Sequence, residues 1–142
     1  MEKKIDINMV STLALAYLGD AVLEVKIRNY AIMSNKVKLN ALHRSSVRYV
    51  NAKAQSLVYD QIQGDLLEDE LVILKKGRNS KKSIPKNVMA VDYRKSTGLE
   101  ALLGYLYLLE KNDRIEEIVD MVIAIVEGRK SDENTKSSDL ST

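Results

Sequence analysis

The chain lacks cysteine, tryptophan and phenylalanine, and it has a single proline and a single histidine among its 142 residues. Without cysteine there is no disulfide framework, cysteine-ligated zinc, iron–sulfur cluster or thiol nucleophile. The lone histidine, His43, excludes sites built from two or more histidines. Carboxylates are therefore the residues left in any number for metal binding or acid–base chemistry.

Targeting signals and membrane spans are also missing. The start of the chain, MEKKIDIN, has no long apolar core of the signal-peptide kind. No uncharged stretch reaches the roughly 20 residues that a membrane helix needs. We therefore expect a cytoplasmic protein without membrane association. The length fits one hydrophobic core, so residues 1–128 are expected to form a single domain and the polar residues 129–142 a disordered tail.

Apolar residues recur at helical spacing along almost the whole chain, which predicts an all-α fold. A first long helix is expected to begin after Asn8 or Ser11, either of which can cap it, and to end near Met33. Its residues expected to face a core are Leu13, Tyr17, Leu23 and Ile27. Further helices are expected over residues 38–62 with a break at residues 45–46, over 66–76 with Gly77 as the cap, over 93–109 and over 115–127.

Two strongly apolar strings each contain one charged residue. Asp20 is the only charge in MVSTLALAYLGDAVL (9–23), and Glu100 is the only charge in STGLEALLGYLYLL (96–109). A carboxylate in a buried helix costs several kcal/mol unless it is paired, hydrogen-bonded or bound to metal. If the two helices pack together, the acids form an oxygen-rich site suited to Mg²⁺, with Mn²⁺ as a substitute. Glu24 is a third candidate ligand, or it begins the solvated half of its helix.

Small neighbours accompany both carboxylates. Gly19 adjoins Asp20, and Thr97 and Gly104 lie on the Glu100 face, so that another backbone or a ligand can approach closely. The alternative interpretation is structural: each acid lies on a narrow polar stripe or pairs with a basic side chain. The candidate partners are Lys26, Arg28, Arg44 and Arg94. Spacing alone leaves both interpretations open, because neither helix has a sharp metal-binding motif.

The net charge of +2 conceals an uneven distribution. Between Lys75 and Lys95 there are eight basic residues and one acidic residue, a balance of +7, which leaves −5 on the rest of the chain. The basic residues are Lys75, Lys76, Arg78, Lys81, Lys82, Lys86, Arg94 and Lys95. Such a block is typical of phosphate contacts to nucleic acid, although lysine-rich loops are often only solvated. Arg44 and Arg48 are further candidates for RNA binding, or an ordinary exposed helix face.

The strings around the two lone carboxylates resemble the ribonuclease III family. Its signature helix contains LGD followed by a small and an aliphatic residue, and a later helix contains EAL-(L/I)-G. The corresponding strings here are YLGDAVLE (17–24) and LEALLGYLYL (99–108). Three more strings are similar to the Mini-III ribonucleases, the short branch without a double-stranded-RNA-binding domain. They are LHRSSVRYVNAKAQ (42–55), KKGRN (75–79) and VDYRKSTGLEALLG (91–104).

The resemblance implies a homodimeric, all-α endonuclease domain that cuts both strands of double-stranded RNA with Mg²⁺. Hydrolysis of the phosphodiester bond would give 5′-phosphate products. In this branch the implied substrate is precursor large-subunit (23S) ribosomal RNA, which is matured at its 5′ and 3′ ends, and a ribosomal protein is a candidate partner. Asp20 falls on the signature aspartate and Glu100 on the glutamate of the second motif, which implies that both bind the metal and act in catalysis.

Larger family members carry further acidic residues where this chain has Leu13, Ala16 and Thr97. The missing carboxylates fit the short branch but leave the number of metal ions per site open. They also motivate a second interpretation, in which the protein is a non-catalytic RNA-binding or ribosome-assembly module of the same fold.

Overall fold

The fold consists of α-helices throughout the part of the chain that the structure describes. This structure is a computed structural model, and it describes residues 5–34, 38–80 and 83–128. Its helices are α1 (Thr12–Met33), α2 (Leu39–Val50), α3 (Ala52–Ile62), α4 (Glu68–Arg78), α5 (Ala90–Leu108) and α6 (Asn112–Val126). No strand occurs in these ranges, so the all-α prediction is confirmed. The tail predicted over residues 129–142 lies outside the described residues.

Side-chain caps set two helix boundaries. The Ser11 Oγ accepts a hydrogen bond from the Ala14 main-chain N–H at 3.1 Å, which confirms one of the two predicted caps of α1. Asn51 separates α2 from α3: its Oδ1 accepts from the Ala54 N–H at 2.9 Å, and its amide group donates to the last turn of α2. The break between the two helices lies at Asn51, and the prediction of a break at residues 45–46 is wrong. The reason is that the Asn51 side chain both closes α2 and starts α3.

Helix α5 is the centre of the domain. Its side chains Leu99, Leu102, Leu103 and Leu106 are completely buried, and α1, α3, α4 and α6 all pack against it. The core around them includes Leu23, Ile27, Tyr59, Ile62, Leu74 and Ile118. Burial of one leucine side chain is worth about 1.5–3 kcal/mol. Helix α5 therefore contributes a large share of the folding free energy, as its apolar residues on nearly every side predict.

Helix α1 buries only one of its faces. Leu23 and Ile27 are fully buried as expected, but Tyr17 is 84% exposed and Leu13 is 37% exposed. The expectation that Leu13 and Tyr17 face the core of this chain is wrong, because α1 carries more apolar surface than one chain covers. Its other large exposed apolar residues include Val25 and Ile32. Even so, no helix in the described ranges is long and apolar enough to cross a membrane.

Helices α1 and α5 cross with their main chains in contact. A Cβ atom on Gly19 would overlap the carbonyl oxygen of Glu100, and a Cβ atom on Gly104 would overlap the carbonyl oxygen of Leu15. At both positions the obstacle is main chain, which cannot rotate away as a flexible side chain can. The close approach predicted at these two glycines is therefore confirmed, and the distance between the helices requires both of them.

A second close crossing joins α4 to α5. A Cβ atom on Gly77 would lie 2.6 Å from the Gly98 Cα, and one on Gly98 would lie 2.5 Å from the carbonyl oxygen of Leu74. Gly77 is buried inside α4, which continues to Arg78 and has Asn79 as its C-cap. The prediction that Gly77 caps the helix is therefore wrong. Its missing side chain serves packing against α5.

Gly104→Ala is expected to destabilise the fold by about 3 kcal/mol or more, because the added Cβ forces two main chains apart in a packed core. The measurement is the free energy of unfolding from urea denaturation. Gly64→Ala is the matched control, since a Cβ atom there would meet nothing within 4 Å, and it is expected to change stability little. Similar unfolding free energies for the two variants would show that the α1–α5 contact does not require glycine.

Candidate active site

The crossing of α1 and α5 brings the two lone acidic residues to neighbouring positions. Asp20 directly follows Gly19, and the Gly19 main chain lies against the carbonyl group of Glu100. The Asp20 side chain is exposed, and the Glu100 side chain is half-buried. The LGD string of α1 and the EALLG string of α5, which are far apart in sequence, are therefore in contact where Gly19 meets the main chain of Glu100.

Asp20 is more accessible to water than its apolar helix predicts. We expected a carboxylate in a buried helix, where the cost of desolvation would demand a partner. In the structure Asp20 lies outside the buried face of α1 and is open to solvent. Its candidacy as a metal ligand thus depends on its position beside Glu100, and the desolvation argument does not apply to it.

Glu24, one turn after Asp20, has a basic partner. Its Oε2 accepts a hydrogen bond from the Arg28 Nε–H at 3.0 Å, four residues later on α1. The alternative in which Glu24 begins the solvated half of its helix fits this pair, because the Arg28 partner is exposed. Within the described ranges, no group of three or more acidic, histidine or cysteine side chains is arranged to hold a metal ion. The candidate site is the pair Asp20 and Glu100, with Glu24 adjacent and held by Arg28.

Thr97 lies three residues before Glu100 and adds no charge to the site. It is buried, and its Oγ1 donates to the carbonyl oxygen of Tyr93 at 3.0 Å. The Ser96 hydroxyl donates to the same oxygen at 2.7 Å. Both hydroxyl groups are engaged inside α5, so Thr97 does not substitute for the aspartate that larger family members carry at its position.

The donor set at the crossing suits a hard divalent cation. Asp20 and Glu100 offer carboxylate oxygens, and the exposure of Asp20 leaves room for water. Mg²⁺ keeps several of its waters and is usually bound through one or two protein carboxylates. A Ca²⁺ cage of about 6–8 oxygens needs more ligands than this pair provides. The residues present therefore fit Mg²⁺ better than Ca²⁺.

Five of the eight basic residues predicted to bind RNA lie in helices, four of them as expected, and Arg78 because α4 continues past Gly77. The last turn of α4 contains Lys75, Lys76 and Arg78. The first turns of α5 contain Arg94 and Lys95. Lys86 is exposed in the connection between the helices, and the predictions for Lys81 and Lys82 lie outside the described residues. The contact between α4 and α5 thus gathers basic side chains near the end of α5 that precedes Glu100.

Arg78 and Lys95 face the same buried tyrosine. The Arg78 guanidinium carbon lies 6.0 Å from the centre of the Tyr59 ring, and the Lys95 Nζ lies 5.9 Å from it. Lys95 also forms an ion pair with Asp60 at 2.7 Å. Sequence reasoning missed Tyr59 and Asp60, because they belong to α3 and resemble an ordinary core residue and an ordinary surface acid. Only the packing of α3 against α4 and α5 reveals their role.

Arg44 and Arg48 are exposed on α2, as expected for an RNA-binding face or for an ordinary one. The Arg48 guanidinium lies 5.5 Å from the ring centre of Tyr49. The hydroxyls of Tyr49 and Tyr30 both donate to Glu127 at 2.6 Å. Burial, reinforced by the Glu127 hydrogen bond, raises the pKa of Tyr49 well above its ordinary value. These contacts tie α2 to α1 and α6 and leave the two arginines facing solvent.

The ribonuclease III domain family matches residues 13–111 of the chain, a range that includes Asp20, Glu100 and the basic segment. The chain belongs to this family, and it is an endoribonuclease of the ribonuclease III type. This assignment confirms the family resemblance of the strings around the two acids.

Among named relatives, the chain is similar to proteins called Mini-ribonuclease 3. The protein of Brevibacillus brevis is 48% identical over 124 residues, which cover 87% of this chain and 92% of the relative. The protein of Clostridium tetani is 43% identical over 132 residues, which cover 92% of this chain and 87% of the relative. An X-ray structure of a Fusobacterium nucleatum protein matches with a TM-score of 0.76 at 39% identity and covers 86% of this chain and 98% of that one.

Proposed function

We propose that this endoribonuclease cuts both strands of double-stranded RNA at a Mg²⁺ site held by Asp20 and Glu100. We further propose that it acts as a homodimer on precursor large-subunit ribosomal RNA. The observation that supports the proposal is the α1–α5 crossing, where the main chain of Gly19, the residue before Asp20, lies against the carbonyl group of Glu100. RNA as the substrate class follows from the family. We propose in addition that the RNA is double-stranded, that the site binds Mg²⁺, that the protein is a dimer and that its substrate is a ribosomal precursor.

Asp20 and Glu100 are the residues that would hold the cation, with Mn²⁺ as a substitute for Mg²⁺. A bound divalent cation lowers the pKa of a coordinated water and stabilises negative charge on a phosphate. The exposure of Asp20 keeps one side of the site open to the substrate. Glu24 can join as a third ligand through the carboxylate oxygen that does not accept from Arg28.

The placement of the basic residues supports a duplex substrate. A-form RNA is recognised mainly through phosphates and 2′-hydroxyls, because side chains cannot enter its deep major groove. Such recognition needs cations distributed along a surface, and the segment from Lys75 to Lys95 provides a local balance of +7. Arg94 and Lys95 lie in α5, six and five residues before Glu100. Basic residues that bind the phosphate backbone there would hold the RNA within two helical turns of Glu100.

Asp20→Asn and Glu100→Gln are each expected to slow the cleavage of duplex RNA by roughly 100-fold or more, because each removes a carboxylate ligand of the cation. Folding and duplex binding should persist, since Asp20 is exposed and the changes preserve side-chain shape. A gel assay with Mg²⁺ and with EDTA measures cleavage, and analysis of product ends should show 5′-phosphates. Asp120→Asn, an exposed acid of α6, is the control. Normal turnover by Asp20→Asn, or cleavage in EDTA, would refute the site.

The outer face of α1 supports the homodimer. Its exposed apolar residues recur at spacings of about one or two helical turns and so form one stripe, which consists of Leu13, Tyr17, Val25 and Ile32. A large exposed apolar stripe marks an interaction surface. A second copy is the favoured partner, because a twofold axis pairs identical surfaces. Asp20, three residues after Tyr17, borders the stripe, so a dimer would place two sites near its interface to face the two strands of a duplex.

Tyr17→Lys is expected to give a folded monomer that has lost cleavage of both strands, because it buries a charge in the proposed interface. Sedimentation velocity measures the oligomeric state, and circular dichroism checks the fold. The control is Leu57→Lys, which introduces the same charged side chain at an apolar residue of α3 that is 44% exposed. It should leave the dimer intact. A wild-type protein that sediments as a monomer at micromolar concentration would rule out the dimer.

Precursor large-subunit ribosomal RNA is the proposed cellular substrate, and the proposed location is the cytoplasm. The support is the sequence similarity to proteins named Mini-ribonuclease 3. Cells without this protein are expected to accumulate 23S precursors with extended 5′ and 3′ ends, which end-mapping by sequencing detects. Wild-type protein should restore mature ends and Asp20→Asn should not. Mature ends in the deletion strain would contradict this assignment. Cleavage of precursor with and without bound ribosomal proteins tests the candidate partner.

A further inference from the structure

Tyr59 is a buried tyrosine at the junction of three helices. It belongs to α3 and is 1% exposed. Its ring packs against α5 at Gly98, where a Cβ atom would lie 3.0 Å from the ring. Gly98 also meets Gly77 of α4. The ring therefore lies at the α4–α5 crossing, level with an α5 position only two residues before Glu100.

Two basic side chains, one from each of the crossing helices, approach this ring. Arg78 of α4 and Lys95 of α5 lie 6.0 Å and 5.9 Å from the ring centre. A cation within about 6 Å of an aromatic ring is attracted by the quadrupole of the ring. Asp60 holds Lys95 as well, at 2.7 Å. An ammonium group has three N–H donors, so Lys95 retains donors for a further acceptor.

The Tyr59 hydroxyl has no hydrogen-bond partner among the described residues. The contacts of Tyr59 with the two cations are therefore made by its ring. Burial raises the pKa of Tyr59, while the charges of Arg78 and Lys95 act to lower it. Both cations therefore interact with this side chain electrostatically, although Arg78 does not have the geometry of a hydrogen bond to the hydroxyl. This interaction distinguishes Tyr59 from an ordinary core residue.

We infer that Tyr59 is a positioning residue that holds Arg78 and Lys95 as a fixed pair of phosphate-binding cations. The inference rests on the proposed function, because the ligand of the pair is the backbone of the RNA substrate. Lys95 precedes Glu100 by five residues, which is about 7.5 Å along the helix axis and about 140° around it. The pair thus binds the RNA backbone at a second point on α5, within about one and a half turns of Glu100.

Fixed cations differ from the other basic residues of the segment. The exposed members are Lys75, Lys76, Lys86 and Arg94. Ordering one long exposed side chain on binding costs roughly 3- to 10-fold in affinity. Arg78 and Lys95 avoid much of this cost, because the Tyr59 ring already restricts them. Arg78 can in addition offer two parallel N–H groups to one phosphate.

The test measures the affinity of the full-length protein for duplex RNA in EDTA, over a range of salt concentrations. Arg78→Gln and Lys95→Gln are each expected to weaken binding by about 5- to 10-fold, and Lys86→Gln, the control, by about 2-fold. Tyr59→Leu should weaken binding by about 10-fold, because both side chains must then be ordered on binding. It should leave the salt dependence unchanged, since both charges remain, whereas Arg78→Gln and Lys95→Gln should each reduce the salt dependence by about one counterion. Tyr59→Phe keeps the ring and should recover the binding that Tyr59→Leu loses. Circular dichroism and urea denaturation establish that each variant folds.

Two results would overturn the inference while leaving the proposed function in place. One is a folded Tyr59→Leu variant with wild-type affinity. The other is a loss in Arg78→Gln and Lys95→Gln no larger than that in Lys86→Gln, a comparison that decides the question even if Tyr59→Leu does not fold. A wild-type protein that fails to bind duplex RNA overturns the proposed function itself, and the inference with it.

Discussion

The main-chain contact between α1 and α5 is the constraint on which the rest of the structure depends. With no side chain at Gly19 or Gly104, the two helices touch through carbonyl groups. Main-chain atoms in helices have little freedom to move, so this contact is stiffer than one made through long side chains. Asp20 and Glu100 belong to the contacting stretches, so their main-chain atoms are held in fixed positions relative to one another.

The same principle operates where α4 meets α5 at Gly77 and Gly98, and there it organises basic residues. Helix α5 thus receives an acid from one neighbour and cations from another along a short length of its axis. A third kind of charge is purely structural. Glu70 is completely buried, and Arg114 neutralises it with two hydrogen bonds of 2.9 Å. This pair joins α4 to α6, and Glu70 differs from the exposed Asp20 in being shielded from water.

The sequence was sufficient to predict the features that depend on local pattern. Helical spacing predicted the all-α fold, Ser11 was recognised as a cap, and single charges in apolar strings drew attention to Asp20 and Glu100. Other features depend on which surfaces meet, and local pattern is silent about those. From the sequence, a glycine that caps a helix cannot be distinguished from one that packs against another helix, as Gly77 does. An apolar residue such as Tyr17 looks the same whether its own chain or another surface covers it.

Long-range contacts account for the other omissions. Tyr59 belongs to α3, and nothing in its neighbourhood in sequence connects it with Arg78 or Lys95. The composition of the sequence predicts the basic segment. Which of its side chains are anchored and which are exposed depends on the packing of α3, α4 and α5 and cannot be predicted from composition. The burial of Glu70 is unpredictable for a similar reason. It lies in an acidic string, EDE (68–70), which is typical of a solvated surface, and only the packing of α6 brings Arg114 against it.

The ion pair between Lys95 and Asp60 has a consequence for which anions the proposed phosphate site would bind. The ammonium group already has one anion beside it, at 2.7 Å, and a partly exposed pair of this kind is worth only about 0–1 kcal/mol. A phosphate bound through the remaining N–H donors would lie close to the Asp60 carboxylate, which would repel it. A single small anion gains little against that repulsion, whereas a polymer held by several contacts can tolerate it. Asp60 would thus favour polyanions over the small ions of the surrounding solution.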